Sequence, residues 1–186
     1  MNLHRAFTNL VLTVLLLLSL PLLVFAQVRD HLTPQEIDLV KEAQILDKRI
    51  EVFIKAAERR LLVLNGNSTA AANAKQLKKD SERWGELPAG SRSDLVADIA
   101  RILDEAITNI DDVSARDERN PLIAKALRRL AQAVANIQTQ VAPLRDQLKG
   151  DGEVASFELL DEDVQSILEA AKKLPPEVDK KAKNKP

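Results

Sequence analysis

Pro121-Leu122-Ile123-Ala124-Lys125-Ala126-Leu127-Arg128-Arg129-Leu130-Ala131-Gln132-Ala133-Val134 opens the stretch that decides the fold. The apolar stripe of this stretch is Ile123, Leu127, Leu130, Val134, Ile137, Val141, Leu144 and Leu148. Their intervals alternate between four and three without a break, the spacing of a helix that buries one stripe against nearly parallel neighbours. Asn120 before Pro121 supplies a good N-cap and a pre-set first residue. Pro143 lies inside the stripe and removes one backbone donor, so a kink is expected between Thr139 and Pro143. Because the stripe stays in register to Leu148, the helix should bend there and not break.

The flanking segments carry the same spacing. From Ser91 or Ser93 to about Arg116 the stripe is Val96, Ile99, Leu103, Ala106, Ile110 and Val113. After a turn at Lys149-Gly150-Asp151-Gly152, a helix from about Glu153 to Leu174 presents Phe157, Leu160, Val164, Ile167, Ala171 and Leu174. Toward the N-terminus, Thr33-Pro34-Gln35-Glu36 forms a capping box with proline at the first helical position. Ile37, Val40, Ala43, Leu46, Ile50, Phe53, Ala57, Leu61 and Leu64 then follow by threes and fours. No glycine or proline interrupts them before Gly66, so one rod of about 46 Å is predicted. Arg59 and Arg60 read as cations favoured by the C-terminal end of that helix. Residues 68–82 read as a weaker, short helix, and Trp84-Gly85-Glu86-Leu87-Pro88 as a connector. Trp84 is expected to cover one end of the bundle, with ligand stacking as the alternative. Strand signals are missing.

The fold class expected is therefore all-α: a long-helix antiparallel bundle with four main helices and one short helix, in a single domain over residues 27–174. Residues 92–118 carry a net −5 and residues 121–149 a net +4. The short link between them predicts an antiparallel hairpin held partly by those opposite charges. Residues 175–186, beginning Pro175-Pro176 and rich in lysine, are expected to form a disordered tail.

Residues 1–26 address the chain to a compartment. Arg5 is the only basic residue of the opening besides His4, residues 10–25 are almost wholly apolar, and Ala26 precedes Gln27. A basic start, a short apolar middle and a small residue at the junction predict a secretory signal peptide cleaved near Ala26/Gln27. The alternative is an uncleaved membrane anchor, although the apolar run falls short of the ~20 residues that span a bilayer. An exported protein, periplasmic or secreted, is the expectation, with membrane attachment only through that segment if it is retained.

What remains is mostly elimination. Of 27 Lys and Arg, Arg5 lies in the leader, leaving 26 against 28 Asp and Glu and a mature net charge of −2. Such a balance offers no basic field for nucleic acid. The chain has no cysteine and no tyrosine, and His31 is the one histidine beyond the leader. Thiol nucleophiles, Ser–His pairs, di-iron sites and ordinary zinc sites all lack their parts. Phe53, Phe157 and Trp84 are too few aromatics for a usual sugar platform. An enzyme is therefore not expected, nor is a cofactor. Acids at Asp94, Asp98, Asp104, Glu105, Asp111 and Asp112 have the oxygens for loose calcium or magnesium binding, but a solvated helix face is their default. Residues 150–158 miss the calcium-loop spacing because Ala155 stands at the third acidic position. Asn67-Ser68-Thr69 fits an N-glycosylation acceptor, which matters only in a eukaryotic host.

Leu32-Thr33-Pro34-Gln35-Glu36 resembles the Leu-Thr-x-x-Gln box of small periplasmic stress chaperones. It departs from that box at Glu36, has no second copy and covers five residues. More broadly, residues 32–61, the run from Ala100 to Asp112, Asn120-Pro121-Leu122 and Ala126-Leu127-Arg128 are similar to uncharacterised exported bacterial proteins. That resemblance implies export and a helical fold, with no activity or functional residues attached. Together these readings lead to an exported, non-catalytic binding or scaffolding module of the cell envelope whose partner is a protein. The alternative is a periplasmic holdase-type chaperone. Asp98, Glu105 and Asp112 mark the expected interaction face.

Overall fold

The computed structural model describes residues 29–66 and 80–176. The expected leader, the acceptor at Asn67, most of the weak helix and the lysine-rich part of the tail lie outside the described residues. Within them the chain is all-helical: α1 (Pro34–Glu42), α2 (Leu46–Leu64), α3 (Arg92–Arg116), α4 (Pro121–Arg145) and α5 (Asp151–Lys172). A further helical turn spans residues 80–84.

Helices α2 to α5 form a four-helix bundle around one core. Ile50, Phe53, Ala57 and Leu61 of α2 face Val96, Ile99, Leu103 and Ala106 of α3, all at most 2 % exposed. Leu130, Val134, Ile137 and Val141 of α4 and Phe157, Leu160, Val164 and Ile167 of α5 complete it. These are the stripes read from the sequence. The N-termini also fall where the caps place them. Ser91 accepts from the Asp94 amide while the Asp94 carboxylate accepts from the Ser91 amide, and the Asn120 side chain accepts from the Leu122 amide. Helix α4 runs unbroken through Pro143 to Arg145, three residues short of Leu148. Helix α5 begins at Asp151, so the expected turn shortens and Gly152 joins the first helical turn.

Two expectations are corrected. The predicted rod over residues 34–64 is bent back on itself: α1 ends at Glu42, α2 begins at Leu46, and residues 43–45 form an elbow. Ala43 (φ −76°, ψ 81°) is the centre of an inverse γ-turn closed by the Gln44 amide on the Glu42 carbonyl at 2.9 Å. Arg49 Nε donates to the Ala43 carbonyl freed by the bend (2.9 Å), and its NH1 donates to Asn109 of α3 (3.0 Å). Tertiary contacts thus override a helix-compatible sequence. Folding back seats Leu39 and Glu36, both buried, along α2.

The second correction concerns pairing. Helices α3 and α4 are antiparallel but stand across the bundle's diagonal, and each takes α2 and α5 as its main neighbours. Asp47 with Lys125 near the N-termini, and Asn65 with Gln140 near the C-termini, show α2 and α4 running parallel. Ser93 with Ser156 shows the same for α3 and α5. The basic residues of α4 therefore do not meet the acids of α3. Lys125 pairs with Asp47, Arg129 with Glu51, and Arg145 with Asp161. Those acids sit on the adjacent helices, and the short link leaves α3 free to cross the diagonal.

Candidate functional site

The densest chemistry among the described residues is a buried ion network at the end of the bundle where α2 finishes and α3 starts. Glu36, Arg59, Arg60 and Asp98 are each at most 4 % exposed. Helix α1 brings Glu36, α2 brings the two arginines on successive positions, and α3 brings Asp98. The extended segment before α1, residues 29–33, crosses the outer side of α3 and adds Arg29 and His31.

Glu36 serves two ends. Its Oε2 accepts from the Thr33 amide at 2.9 Å, completing the predicted capping box. Its Oε1 accepts from Arg60 NH1 at 2.7 Å and lies 3.4 Å from Arg59 Nε. Arg60 also donates to the Ala56 carbonyl (2.8 Å) and to the His31 carbonyl (2.6 Å), tying the segment before α1 to α2. Its Nε stands 3.9 Å from Asp98, whose Oδ2 accepts from Arg29 NH2 at 2.8 Å. Arg29 donates as well to the Ala89 carbonyl at 2.6 Å. Arg59 donates to three carbonyls of the connector, those of Trp84 (2.7 Å), Gly85 (3.2 Å) and Glu86. Its guanidinium lies over the Trp84 ring, 5.7 Å from the centroid. Trp84 therefore covers this end of the bundle, with an arginine of its own chain stacked on it.

Burial shifts two of these groups against their charged forms. The Asp98 carboxyl is pushed up by burial, which outweighs the nearby Arg29, Arg60 and His31. The Arg59 guanidinium is pushed down by burial and further by Arg60, while Glu36 opposes the shift. At the opposite end Asp47, 3 % exposed, has its carboxyl held below the usual range by the Lys125 hydrogen bond, against the effect of burial.

The expected interaction face is thereby divided. Asp98 is buried at 2 % exposure, which corrects its placement on a solvated face. Glu105 is partly covered, with His31 Nε2 at 2.8 Å from its Oε2. Asp112 alone of the three is exposed. The cause is the segment 29–33, which lies over a side of α3 that its own periodicity leaves to solvent. Arg59 and Arg60, read as helix-end cations, are members of the buried network instead. A signal for this existed. In the first half of α3, Leu95, Val96, Ile99, Ala100, Ile102 and Leu103 cover more than one face, and a helix apolar nearly all round is a buried helix.

Chemically the network joins; it presents no nucleophile. Among the described residues no group of three or more His, Cys, Asp or Glu is placed to hold a metal ion. Two carboxylates with one unusually basic do occur elsewhere, on the seam between α3 and α5. Asp163 is pushed up to about 6 by burial, reinforced by Asp104 and Glu162. A cleft of about 590 Å³ opens beside the network, between the start of α1 and the connector, with Thr33, Gln35, Gly85, Glu86 and Pro88 among its lining. A groove of about 520 Å³ between α2 and α4 is lined by Glu51, Ile54, Lys55, Glu58, Arg129, Gln132, Ala133 and Asn136. Another, of about 360 Å³, lies between α1 and α2 beside Trp84. Among the described residues no helix is long and apolar enough to cross a membrane.

The structure is thus a four-helix bundle with a helical arm, α1, clasped to it by buried ion pairs. Comparison with known proteins finds no matching family model, curated protein or solved structure.

Proposed function

We propose that this protein is an exported, non-catalytic helical bundle that binds or scaffolds another protein in the cell envelope. The observation carrying this reading is the way the chain spends its charged chemistry. The buried arginines and carboxylates are turned on one another and on main-chain carbonyls, joining α1, α2, α3 and the connector. Among the clefts that face outward, the groove between α2 and α4 is lined by Ile54 and Ala133 together with charges of both signs. Such a mixed surface suits a folded protein better than a small ligand, whose sites are more enclosed and more apolar.

Photo-crosslinking side chains at Gln132 and Asn136, in the groove, should trap one partner in stoichiometric yield. The same probe at Gln165, exposed on α5, serves as the control. Equal capture from both faces, or none from the groove, would refute the reading. N-terminal sequencing of the protein recovered from the cell envelope should begin at Gln27. A chain beginning at Met1 would replace cleavage by anchoring. The holdase reading has less to draw on. Among the described residues the exposed large hydrophobics are Ile45, Val154 and Leu159, too scattered for a client surface.

A further inference from the structure

We propose that residues 29–43, the segment before α1 together with α1, are an exchangeable arm, and that its second acceptor is another copy of this chain. The first observation is a conflict between sequence and fold. Ile37, Val40, Ala43, Leu46, Ile50 and Phe53 keep helical spacing straight through the elbow, and residues 43–45 are Ala, Gln and Ile, with neither glycine nor proline. Nothing local forbids one continuous helix. The bend also needs no special backbone: Ala43 and Ile45 sit at ordinary negative φ, −76° and −90°. Ile45, at the corner, is 56 % exposed, more than any other large hydrophobic among the described residues.

The second observation is how the arm is held. Of the five long helices, α1 touches only α2. Glu36 on Arg60, Arg60 on the His31 carbonyl and Arg29 on Asp98 fasten the arm, and Leu32 and Leu39 bury under it. Straightening the elbow within one molecule would give up the bonds of Glu36 and the His31 carbonyl to Arg60, that of Arg29 to Asp98, and the burial of Leu32 and Leu39, with nothing in their place. If the straightened arm enters the same seat on a second molecule, every one of those contacts is made again. The elbow then becomes continuous helix. A short hinge that both conformations tolerate is the setting in which element exchange occurs at little cost.

The test uses the purified protein, partly unfolded, refolded at high concentration and read by size-exclusion chromatography with light scattering. A dimer should appear that persists on dilution and separates slowly. Ile45→Pro matches the extended conformation at the bend but breaks a continuous helix, so the dimer fraction should fall at least about tenfold. Ile45→Ser removes the exposed side chain but leaves the straight helix open, and its dimer should persist. Loss of the dimer in both variants would make it an ordinary contact through Ile45 and overturn the proposal. Retention in both, or no dimer from the unaltered chain, would overturn it as well. Circular dichroism and cooperative melting of the Ile45→Pro monomer guard against a simple folding failure.

Discussion

Replacing Asp163 with asparagine removes a charge that the folded chain holds against its environment. Burial is the main cause, and Asp104 and Glu162 add like charge, so the carboxyl ionises at about 6 instead of 3.8. A raised carboxyl pKa means the folded state binds this proton more tightly than the unfolded chain does. The group therefore favours folding when protonated, and that contribution is lost as pH rises from about 4 to about 6. Above the window, a shift of that size corresponds to about 3 kcal/mol, since one unit is worth about 1.4. Solvent at this partly exposed seam screens it, leaving about 1–2 kcal/mol. Asp163→Asn should thus raise the urea-unfolding free energy by about that much at pH 7.5 and by nearly nothing at pH 3. A gain of equal size at both pH values would trace the effect to something other than ionisation. No gain at pH 7.5 would refute the reasoning altogether.

Arg60→Met takes from buried Glu36 Oε1 and from the His31 carbonyl the guanidinium they accept from, and should cost roughly 3 kcal/mol in urea unfolding; Glu36→Leu added to it should restore part of that. Gly85→Ala forces a side chain onto a backbone at φ +70°, with a Cβ only 2.9 Å from Gln35 Cδ. About 1–2 kcal/mol should be lost, visible as a lower Tm. Ser91→Ala removes the cap of α3 and should lower stability by about 1 kcal/mol, whereas Ser91→Asn, which still caps and can donate to Asp94, should be nearly neutral.

Helices α3, α4 and α5 were legible because their signals are local and agree. Ser91 and Asn120-Pro121 mark starts, and the stripes from Val96 to Ile110 and from Leu130 to Val141 are the surfaces found buried. The elbow was not legible because its cause lies elsewhere: Arg49 holds the freed Ala43 carbonyl and Asn109 together, an arrangement no spacing rule contains. Pairing by charge failed for a related reason. Opposite net charges on α3 and α4 state a preference, but the acids that answer Lys125, Arg129 and Arg145 are Asp47, Glu51 and Asp161 on other helices. The buried network was seen only in pieces, Glu36 as a cap and Arg59 and Arg60 as helix-end cations. Each of those readings assigns one interaction to a side chain that makes several.

The diagonal crossing between α3 and α4 has a kinetic consequence. In a bundle of successive hairpins, each helix can dock on the one just synthesised. Here the contacts joining α2 to α4 and α3 to α5 close over 75 and 63 residues, as Asn65–Gln140 and Ser93–Ser156 show. Among the four bundle helices, α4 and α5 meet over the shorter span, 16 residues at Arg145–Asp161, against 38 for α2 and α3 at Arg60–Asp98. Loop-closure entropy therefore makes that hairpin the natural nucleus and leaves α2 to be recruited from a distance. A chain so threaded should fold more slowly than an up-and-down bundle of equal length and stability, with α1 closing last over an assembled platform.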